Sequence, residues 1–484
     1  MSIVEANSTI ANTWKLDTPS VTKEVGTART ELVRYRADGD HTLGRETNFQ
    51  IQNNDTSSYF DYARSYIQFK INLYRADGTT KITSADITSI CAEFLTVWRR
   101  AELRFNDAKI QEVDQPGLVA YVLDLIQKSV EQKEAHKDVQ WAYDVKAGDG
   151  LDMDNATAIG SADDSSLATN AALSTTGASS GQHRQIQSAG GIFSESNDYD
   201  PHYARRIRRM ATNAAEVLVI NVPLSRFFSC VEGMKVSYGS ECKILLQRHV
   251  DQDCERFMYG DYNSKTVLKI TACDLYVPKL TPSIEVEGKL MTFINAGGLQ
   301  RHTFLHPSYY SKSNQTPATH HSWKVAVNHR APKYVLFWLN RADRNTHMQL
   351  NPLVMDRVGV TSVSCRVNSH QFPSVAPYQI ENSEDNSRLL IELQKLRRSY
   401  ADDELSCLVD LESFLSHKAL FVFDVSDLPD SAFKSRQMGE VTLDWTQSDY
   451  TNRLNFDQNC VILSEREVEI ASINGEMKFS QAGL

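Results

Sequence analysis

Short runs in which apolar and polar residues alternate occupy most of the chain. In residues 65–74, for example, Ile67, Phe69 and Ile71 take every second position and polar residues separate them. A period of two is typical of strands that bury one face. Comparable runs lie at 48–53, 100–107, 216–224, 241–250 and 266–277 in the first half, and at 321–329, 333–343, 359–372, 418–427, 439–446 and 458–472 in the second. The pattern therefore predicts roughly eight strands in each half.

Helical spacing is confined to a few segments. Apolar residues recur at intervals of three and four after Pro116, which is a favoured first residue of a helix. A second helix is predicted over 383–400, with Ser383 as its candidate N-cap. A short helix-like piece is predicted over 90–98.

Two domains are expected, because 484 residues exceed what one hydrophobic core usually supports. Two prolines within 278–283 interrupt the strand pattern and mark the predicted boundary. The predicted domains are therefore 1–283 and 284–484.

Residues 144–192 differ in kind from the rest of the chain. They contain no Phe, Trp or Tyr and consist mainly of Ala, Ser, Thr, Gly and Asp. Such a segment buries too little apolar surface to offset its ordering entropy. Strand-like sequence resumes at 216–224, so we interpret 144–192 as a long exposed loop between two strands of one sheet and not as a domain linker.

The overall pattern is that of an all-β protein with a few short helices in its connections. Many short strands in two blocks indicate sandwiches, and the long connections favour two tandem eight-stranded antiparallel jelly rolls. The number of strands alone does not separate a jelly roll from other sandwiches.

Composition narrows the functional classes. Lys and Arg total 51 against 61 Asp and Glu, which gives a net charge of −10. Proteins that mainly coat nucleic acid usually carry the opposite sign, so any contact with nucleic acid is expected to be local. No apolar run reaches the ~18 residues of a membrane-spanning helix, and the first residues lack a signal-peptide pattern. Contact with a membrane surface stays open.

The eight cysteines are scattered along the chain and form no Cys-x-x-Cys pair. This spacing favours reduced thiols within strands, and synthesis inside a cell.

The densest positive cluster consists of Arg205, Arg206, Arg208 and Arg209. The simplest interpretation is a solvated stretch, or intramolecular pairs with acidic residues just upstream. The functional alternative is a contact with another subunit or with a polyanion such as nucleic acid or a membrane phosphate. Within that alternative, a protein contact fits the acidic chain best.

Histidines suggest a metal site at first sight. His302 and His306 have the spacing that places two rings on one helix face, but Pro307 argues against a helix there, and the glutamate of the usual zinc motif is missing. His320 and His321 would point to opposite sides of a strand. We therefore expect ordinary surface or interface histidines and no metal, with titration between pH 5 and 8 as a weaker hypothesis.

Glu465, Glu467 and Glu469 would share one face of a strand. Like charges on one face repel, so a solvated or inter-subunit face is the simplest interpretation and a calcium site the alternative. The sequence has no nucleophile motif and no phosphate-binding loop. We therefore predict no enzymatic activity and no cofactor.

Several blocks of the chain, in order, resemble one family. They lie at 57–79, 95–111, 224–249 and 267–283, and in the second half at 331–346, 362–377, 421–430 and 440–472. Together they are similar to the double jelly-roll major capsid proteins of polinton, adintovirus and virophage-like DNA viruses. Only the order of the blocks is specific, and residues 144–192 do not align with the family.

The resemblance implies a major capsid protein of the virion. Three copies would form a pseudo-hexameric homotrimeric capsomer of an icosahedral DNA-virus shell, assembled inside the host cell. The implied partners are further copies of the chain and minor capsid or penton proteins. The alternative is a two-domain β-sandwich adhesin or hydrolase acting on carbohydrate, which would need clustered exposed aromatic residues or two opposed carboxylates.

Overall fold

The structure of the chain is a computed structural model. It describes residues 27–38, 45–52, 59–82, 88–90, 93–129, 183–185, 197–199, 218–233, 241–250, 258–260, 266–295, 299–329, 332–345, 352–380, 383–401, 408–409, 411–416, 418–426, 439–448, 454–473 and 476–482.

Strands dominate the N-terminal half. They are β1 (Thr27–Arg36), β2 (Glu46–Ile51), β3 (Tyr59–Phe60), β4 (Tyr66–Arg75), β5 (Thr88–Ile90), β6 (Trp98–Phe105), β7 (Ala108–Asp114), β8 (His183–Gln185), β9 (Asn197–Tyr199), β10 (Leu218–Pro223), β11 (Cys242–Arg248), β12 (Met258–Gly260) and β13 (Thr266–Pro282).

Eight of these strands form two facing antiparallel sheets. Sheet N1 has the order β1-β13-β4-β10, with β3 added alongside β13, and sheet N2 has the order β2-β11-β6-β7. When the eight strands are numbered along the chain, these orders are 1-8-3-6 and 2-7-4-5. This double wrapping of alternate strands is a jelly roll. The short strands pair separately, β5 with β12 and β8 with β9.

The C-terminal half is built the same way. Its strands are β14 (Leu299–Gln315), β15 (His320–His329), β16 (Pro332–Arg341), β17 (Val360–Val367), β18 (His370–Phe372), β19 (Tyr378–Gln379), β20 (Phe421–Asp424), β21 (Gly439–Gln447), β22 (Phe456–Ile473) and β23 (Glu476–Ala482).

Sheet C1 has the order β14-β22-β16-β20 with β23 on β22, and sheet C2 has the order β15-β21-β17-β18 with β19 on β17. Without β19 and β23 the orders are again 1-8-3-6 and 2-7-4-5. The prediction of two tandem eight-stranded antiparallel jelly rolls is confirmed.

Helices occupy the connections. The described α-helices are α1 (Pro116–Gln127), α2 (Cys230–Gly233), α3 (Ile284–Asn295), α4 (Ser383–Ala401) and α5 (Leu411–Ser416). The two predicted long helices are therefore confirmed as α1 and α4. Both lie between the fifth and sixth strands of their own roll, and they contact each other.

The short helix-like piece predicted over 90–98 is confirmed in part. Among its described residues, Phe94–Val97 forms a single 3₁₀ turn, and β6 begins at Trp98. The Glu93 side chain accepts a hydrogen bond from the Leu95 backbone N–H at 3.1 Å, which holds this tight turn. Trp98 is fully buried, so the chain must continue as a strand that points this side chain into the core.

The alternation seen in the sequence builds both cores. In β4, Ile67, Phe69 and Ile71 are fully buried between the two sheets, and Phe69 contacts the ring of Trp98 at 5.6 Å. In the second roll the rings of Phe337 and Trp445 lie 5.1 Å apart across the sandwich. Each fully buried apolar side chain of this size contributes about 1.5–3 kcal/mol.

The strand break predicted at the two prolines is wrong. Strand β13 runs through Pro278 to Pro282, and the Pro278 carbonyl accepts a hydrogen bond from the Asp61 N–H at 2.9 Å. Proline lacks only the donor, so a strand can continue where partners use its carbonyl. Helix α3 begins at Ile284, where the predicted second domain starts; the division 1–283 and 284–484 stays a prediction.

The interpretation of 144–192 as a loop within one sheet is also wrong. The flanking strands of the roll are β7 in sheet N2 and β10 in sheet N1, so the excursion connects the two sheets. Within 144–192 only His183–Gln185 is described, as strand β8. The other residues of 144–192 are outside the described part of the chain, so the exposure of this segment stays a prediction.

The two rolls meet along β7, α1 and α2 of the first and β14, β23 and α4 of the second. Ser229 Oγ donates a hydrogen bond to the Leu305 carbonyl at 2.7 Å, and Gln111 Nε2 donates to Ser229 Oγ at 3.1 Å. A groove of about 650 Å³ runs beside this contact, with Glu112 on one wall and His306 on the other.

A buried ion cluster joins three connections of the first roll. Arg226 Nη2 lies 2.5 Å from both Glu93 Oε2 and Asp124 Oδ2, and Lys128 lies 3.2 Å from Asp124. Burial raises the pKa of Glu93, and Arg226 opposes that rise. The guanidinium thereby holds the turn before β6, helix α1 and the segment after β10 together.

We expect Arg226→Met to lower the free energy of unfolding by about 3–5 kcal/mol, because it leaves two buried carboxylates without their shared guanidinium. Urea-induced unfolding followed by tryptophan fluorescence measures this change. Lys289→Met is the control, since it removes one partner of the exposed pair with Glu285 and should leave the midpoint nearly unchanged. Equal midpoints for the two variants would contradict the role assigned to Arg226.

Candidate assembly surfaces

The arginine cluster singled out in the sequence lies outside the described residues. The role of Arg205, Arg206, Arg208 and Arg209 as an inter-subunit or polyanion contact therefore stays a prediction. Among the residues that are described, no group of three or more His, Cys, Asp or Glu side chains could hold a metal ion. The candidate functional surfaces are therefore the outer faces of the four sheets.

The outer face of sheet N1 presents aromatic and basic side chains. Strand register places Arg34, Tyr276 and Tyr66 in one row across β1, β13 and β4. The two tyrosine rings are stacked with centroids 5.1 Å apart. We call this surface the N1 face; its members are Leu32, Arg34, Arg36, Tyr66, Gln68, Lys70, Val219, Asn221, Lys269, Asp274 and Tyr276.

Positive charge exceeds negative charge on the N1 face. Asp274 is almost completely buried and pairs with Arg34 at 2.7 Å, and this hydrogen bond raises the pKa of Arg34. Arg36 and Lys70 make no ion pair with any carboxylate in the part of the chain that the structure describes. The face also exposes apolar groups, since Leu32 is 55% and Val219 is 37% exposed.

The outer face of sheet N2 is a network of ion pairs. Arg104 pairs with Glu102 at 2.5 Å, Arg100 pairs with Glu112, and Lys243 pairs with Asp107 at 2.9 Å. Its charges are therefore largely neutralised within the face.

Sheet C1 differs from sheet N1 although the strand order is identical. In β16, Leu336, Trp338 and Asn340 lie on the outer side, yet all three are buried. The Asn340 side chain donates to the Val354 carbonyl and accepts from Asn459 Nδ2 at 2.7 Å. The segment before β17 therefore covers a face that is open in the first roll.

The outer face of sheet C2 is rich in hydroxyl groups. Thr446 Oγ1 lies 2.7 Å from Thr361 Oγ1 and 2.5 Å from Ser362 Oγ. Two ion pairs flank these groups, one of which joins Arg366 and Asp444 at 2.7 Å.

The acidic run predicted in the sequence lies on β22. We call Glu465, Glu467 and Glu469 the acidic stripe, since alternate residues of a strand share one face. Lys333 pairs with Glu465 at 2.6 Å. Arg466 points to the opposite side and lines the groove between the rolls, so the stripe faces away from that groove.

The histidines singled out in the sequence lie in two strands of the second roll. His302 and His306 both belong to β14, and His306 is buried beside the groove. His321 in β15 packs its ring on the Trp445 indole at 4.8 Å, and its Nε2 accepts a hydrogen bond from the Ala318 N–H at 3.1 Å. Burial lowers the pKa of His321 and so favours the neutral ring.

Five cysteines lie among the described residues. All five are free and buried, which agrees with the predicted reduced thiols; they are Cys230, Cys242, Cys273, Cys365 and Cys460. Burial raises the pKa of Cys242 to about 12, so this thiol is protonated and unreactive at neutral pH.

None of the described helices has the length and the apolar character required to cross a bilayer.

The N1 face was missed by the analysis of the sequence. Its side chains occupy the polar positions of alternating strands, which identify them as outward-facing residues. The sequence does not reveal that β1 and β13, more than 200 residues apart, bring Arg34 and Tyr276 together.

We expect the stability of the second roll to fall as the pH decreases below 6.5. Burial lowers the pKa of His321 from 6.5, so the unfolded chain binds the proton at a higher pH than the folded chain does. The contribution is fully present above pH 6.5 and is lost below it. Thermal unfolding between about pH 7.5 and 5 measures the effect.

His321→Gln should reduce this pH dependence, whereas His320→Gln, which changes the exposed neighbouring ring, should retain it. Identical slopes for both variants would refute the assignment to His321.

Comparison with known proteins agrees with this architecture. The sequence matches the family model of the double jelly roll-like domain over residues 209–468, which is more than half of the chain. No curated protein matches the sequence.

Solved structures extend the likeness to nearly the whole chain. A chain of the Sputnik virophage cryo-EM structure is similar with a TM-score of 0.56 and 10% identity, over 97% of this chain and 92% of that one. A chain of the PBCV-1 virus capsid quasi-atomic model is similar with a TM-score of 0.51 and 9% identity, over 94% of this chain and 97% of that one. At these identities the likeness shows the fold alone. The family match and the paired strand orders lead to one conclusion: the chain belongs to the double jelly roll-like domain family.

Proposed function

We propose that the chain is the major capsid protein of a DNA virus. In this proposal three copies form a homotrimeric capsomer with a pseudo-hexagonal outline, and such capsomers tile an icosahedral shell. The observation that carries the proposal is the repetition of one strand order, 1-8-3-6 facing 2-7-4-5, in two rolls of a single chain. Three chains then supply six similar units around a three-fold axis.

The likeness to a chain of the PBCV-1 virus capsid supports the proposal, because it spans almost the full length of both chains. The large buried cores support it as well. Trp98, Trp338 and Trp445 are each at most 1% exposed, as expected of two well-packed bodies that keep their shape under lateral load.

The proposed role is structural and non-enzymatic. In this proposal the chain acts through non-covalent contacts between subunit surfaces and needs no cofactor. The proposed partners are further copies of the chain, and minor capsid or penton proteins at positions where the local symmetry changes. The proposed location is the virion, after assembly inside a host cell.

The solution mass of the purified full chain tests this proposal. We expect a stable particle of three times 54.6 kDa by light scattering, with a six-cornered outline in negative-stain electron microscopy. A monomer that binds glycans on an array would overturn the proposal and favour the two-domain carbohydrate-binding alternative. A monomer without a glycan ligand would also count against it.

We further predict that the excursion between the two sheets of the first roll is dispensable for folding. Replacing residues 146–180 by a short Gly-Ser linker should change the thermal midpoint little, because the cost of closing a loop grows only slowly with its length. Replacing the α1 segment 116–127 by a linker of the same kind is the contrasting control, since most of α1 is buried and should be essential. Loss of folding in the first variant would refute the prediction.

A further inference from the structure

We propose that the contact between the two rolls of one chain is repeated between chains, so that the second roll of one copy binds the first roll of the next copy. This inference rests on the proposed capsomer and assigns the surfaces by which its subunits recognise each other. The partner is a second copy of the chain. The contact is head-to-tail, because it joins different rolls.

The contact inside the chain supplies the template. Strand β7, the fifth strand of the first roll, meets β14, the first strand of the second roll, and helix α1 meets helix α4. Strand β23, which follows the eighth strand of the second roll, also contacts β7. Because both rolls have the same strand order, each position in this contact has a counterpart in the other roll.

The counterparts define the two surfaces that would meet between chains. In the second roll, β18 is the fifth strand and corresponds to β7, and α4 corresponds to α1. In the first roll, β1 is the first strand and corresponds to β14, and α3 follows the eighth strand as β23 does. A repeated contact therefore brings β18 and α4 of one copy against β1, α1 and α3 of the next, and a repeat that closes after three copies yields a trimer.

Exposed apolar side chains lie on these counterparts. Seven large hydrophobic residues are exposed in the described part of the chain, and four of them belong to the proposed surfaces: Leu32 on β1, Ile284 on α3, Val375 after β18 and Ile391 on α4. Among the described side chains of β7, α1, α2 and β14, which form the contact inside the chain, no large hydrophobic residue is exposed. Strands that are covered in one roll thus have counterparts with exposed apolar groups in the other.

The two strands that would be equivalent are both edge strands. β14 is the edge of sheet C1 and β1 is the edge of sheet N1. Proteins usually cover such edges, because an exposed edge invites further pairing. Helix α2 and β7 pack against β14, and Ser229 Oγ donates to the Leu305 carbonyl of that strand at 2.7 Å. A neighbouring copy would cover β1 in the corresponding way.

The chemistry of both surfaces suits the centre of an interface, which is typically depleted of charge. Residues 368–377, which contain β18, include no Asp, Glu, Lys or Arg. On β1, the next outward residue after Leu32 is Arg34, and its guanidinium is already paired with Asp274 at 2.7 Å. Contact at Leu32 therefore buries apolar groups without stranding the charge beside them.

The open N1 face is the competing surface for a second copy. Leu32 belongs both to the N1 face and to the proposed contact, whereas Val219 lies on β10 at the opposite edge of sheet N1. Val219 is 37% exposed, so Val219→Asp distinguishes the two surfaces.

Substitution of the exposed apolar residues tests the proposal on the full chain. Leu32→Asp and Val375→Asp should each raise the trimer dissociation constant at least about tenfold, because each places a carboxylate in an apolar contact. Sedimentation velocity over a dilution series measures both effects. Leu454→Asp is the matched control, since Leu454 is 44% exposed and lies outside the proposed contact, and it should leave the dissociation constant unchanged.

These positions separate docking from misfolding. Leu32 is 55% and Val375 is 86% exposed in the single chain, so neither substitution disturbs a core. Circular dichroism verifies that every variant is folded.

Cross-linking tests the contact independently of its affinity. In a chain that carries both Leu32→Cys and Val375→Cys, a short bismaleimide should join neighbouring copies into covalent trimers on a denaturing gel. Mixed trimers of the two single variants should give covalent dimers only, because a head-to-tail contact needs one thiol of each kind. The pair Leu454→Cys and Val375→Cys is the control, and the unaltered chain corrects for the native cysteines.

Two outcomes would overturn the inference. Trimers that withstand both Leu32→Asp and Val375→Asp, with no cross-link between the paired thiols, would show that the subunits meet elsewhere, while the proposed capsid function would stand. Trimers that dissociate on Val219→Asp but withstand Val375→Asp would assign the contact to the N1 face. Absence of any trimer in the unaltered chain would instead defeat the proposed function itself.

Discussion

Each roll is closed by its last strand, and the rest of the fold depends on that pairing. Strand β13 lies between β1 and β4, and β22 lies between β14 and β16, so the centre of a sheet is empty until the final strand arrives. The Arg34–Asp274 pair joins positions 240 residues apart. The free-energy cost of closing a loop rises only slowly with the length of the loop. The backbone hydrogen bonds on both sides of β13 can therefore offset the cost of the long excursion before β10. Such non-local pairing is also intrinsically slow to form.

Buried ion pairs hold together the connections between strands, which the backbone hydrogen bonds of the sheets do not join. Arg226 joins two carboxylates from separate connections of the first roll, and in the second roll the Arg344 guanidinium binds both oxygens of Asp356 at 2.7 and 2.8 Å. Buried pairs of this kind add little net stability over an apolar core of equal volume, because desolvation offsets the attraction. Their effect here is geometric. Arg226, for example, holds the turn before β6 against helix α1.

Short stretches of sequence predicted individual strands and helices well. They did not predict features that depend on contacts between distant segments of the chain. The alternation in β4 and the helical spacing of α4 are properties of a few adjacent residues, and both elements were found as predicted. The two prolines at the end of β13 looked like a break because their partners, β1 and β3, lie more than 200 residues upstream. The N1 face could not be predicted from the sequence for the same reason, since its strands are neighbours in the sheet but distant along the chain. A pattern identifies which residues point outward, but only the strand order identifies which of them become neighbours.

The two rolls share a strand order but not a surface, and this difference has a consequence for the proposed assembly. In β4 the outward residues are half-buried and open, whereas in β16 both faces are buried because Val354 and its neighbours cover the outer side. A chain with two identical rolls would present the same face twice and could not distinguish one end from the other. Divergence of the faces gives the chain a direction, because the outer face of sheet N1 is open whereas the corresponding side of β16 is covered. Head-to-tail contacts require such a direction, and a closed ring then limits the number of copies through geometry alone.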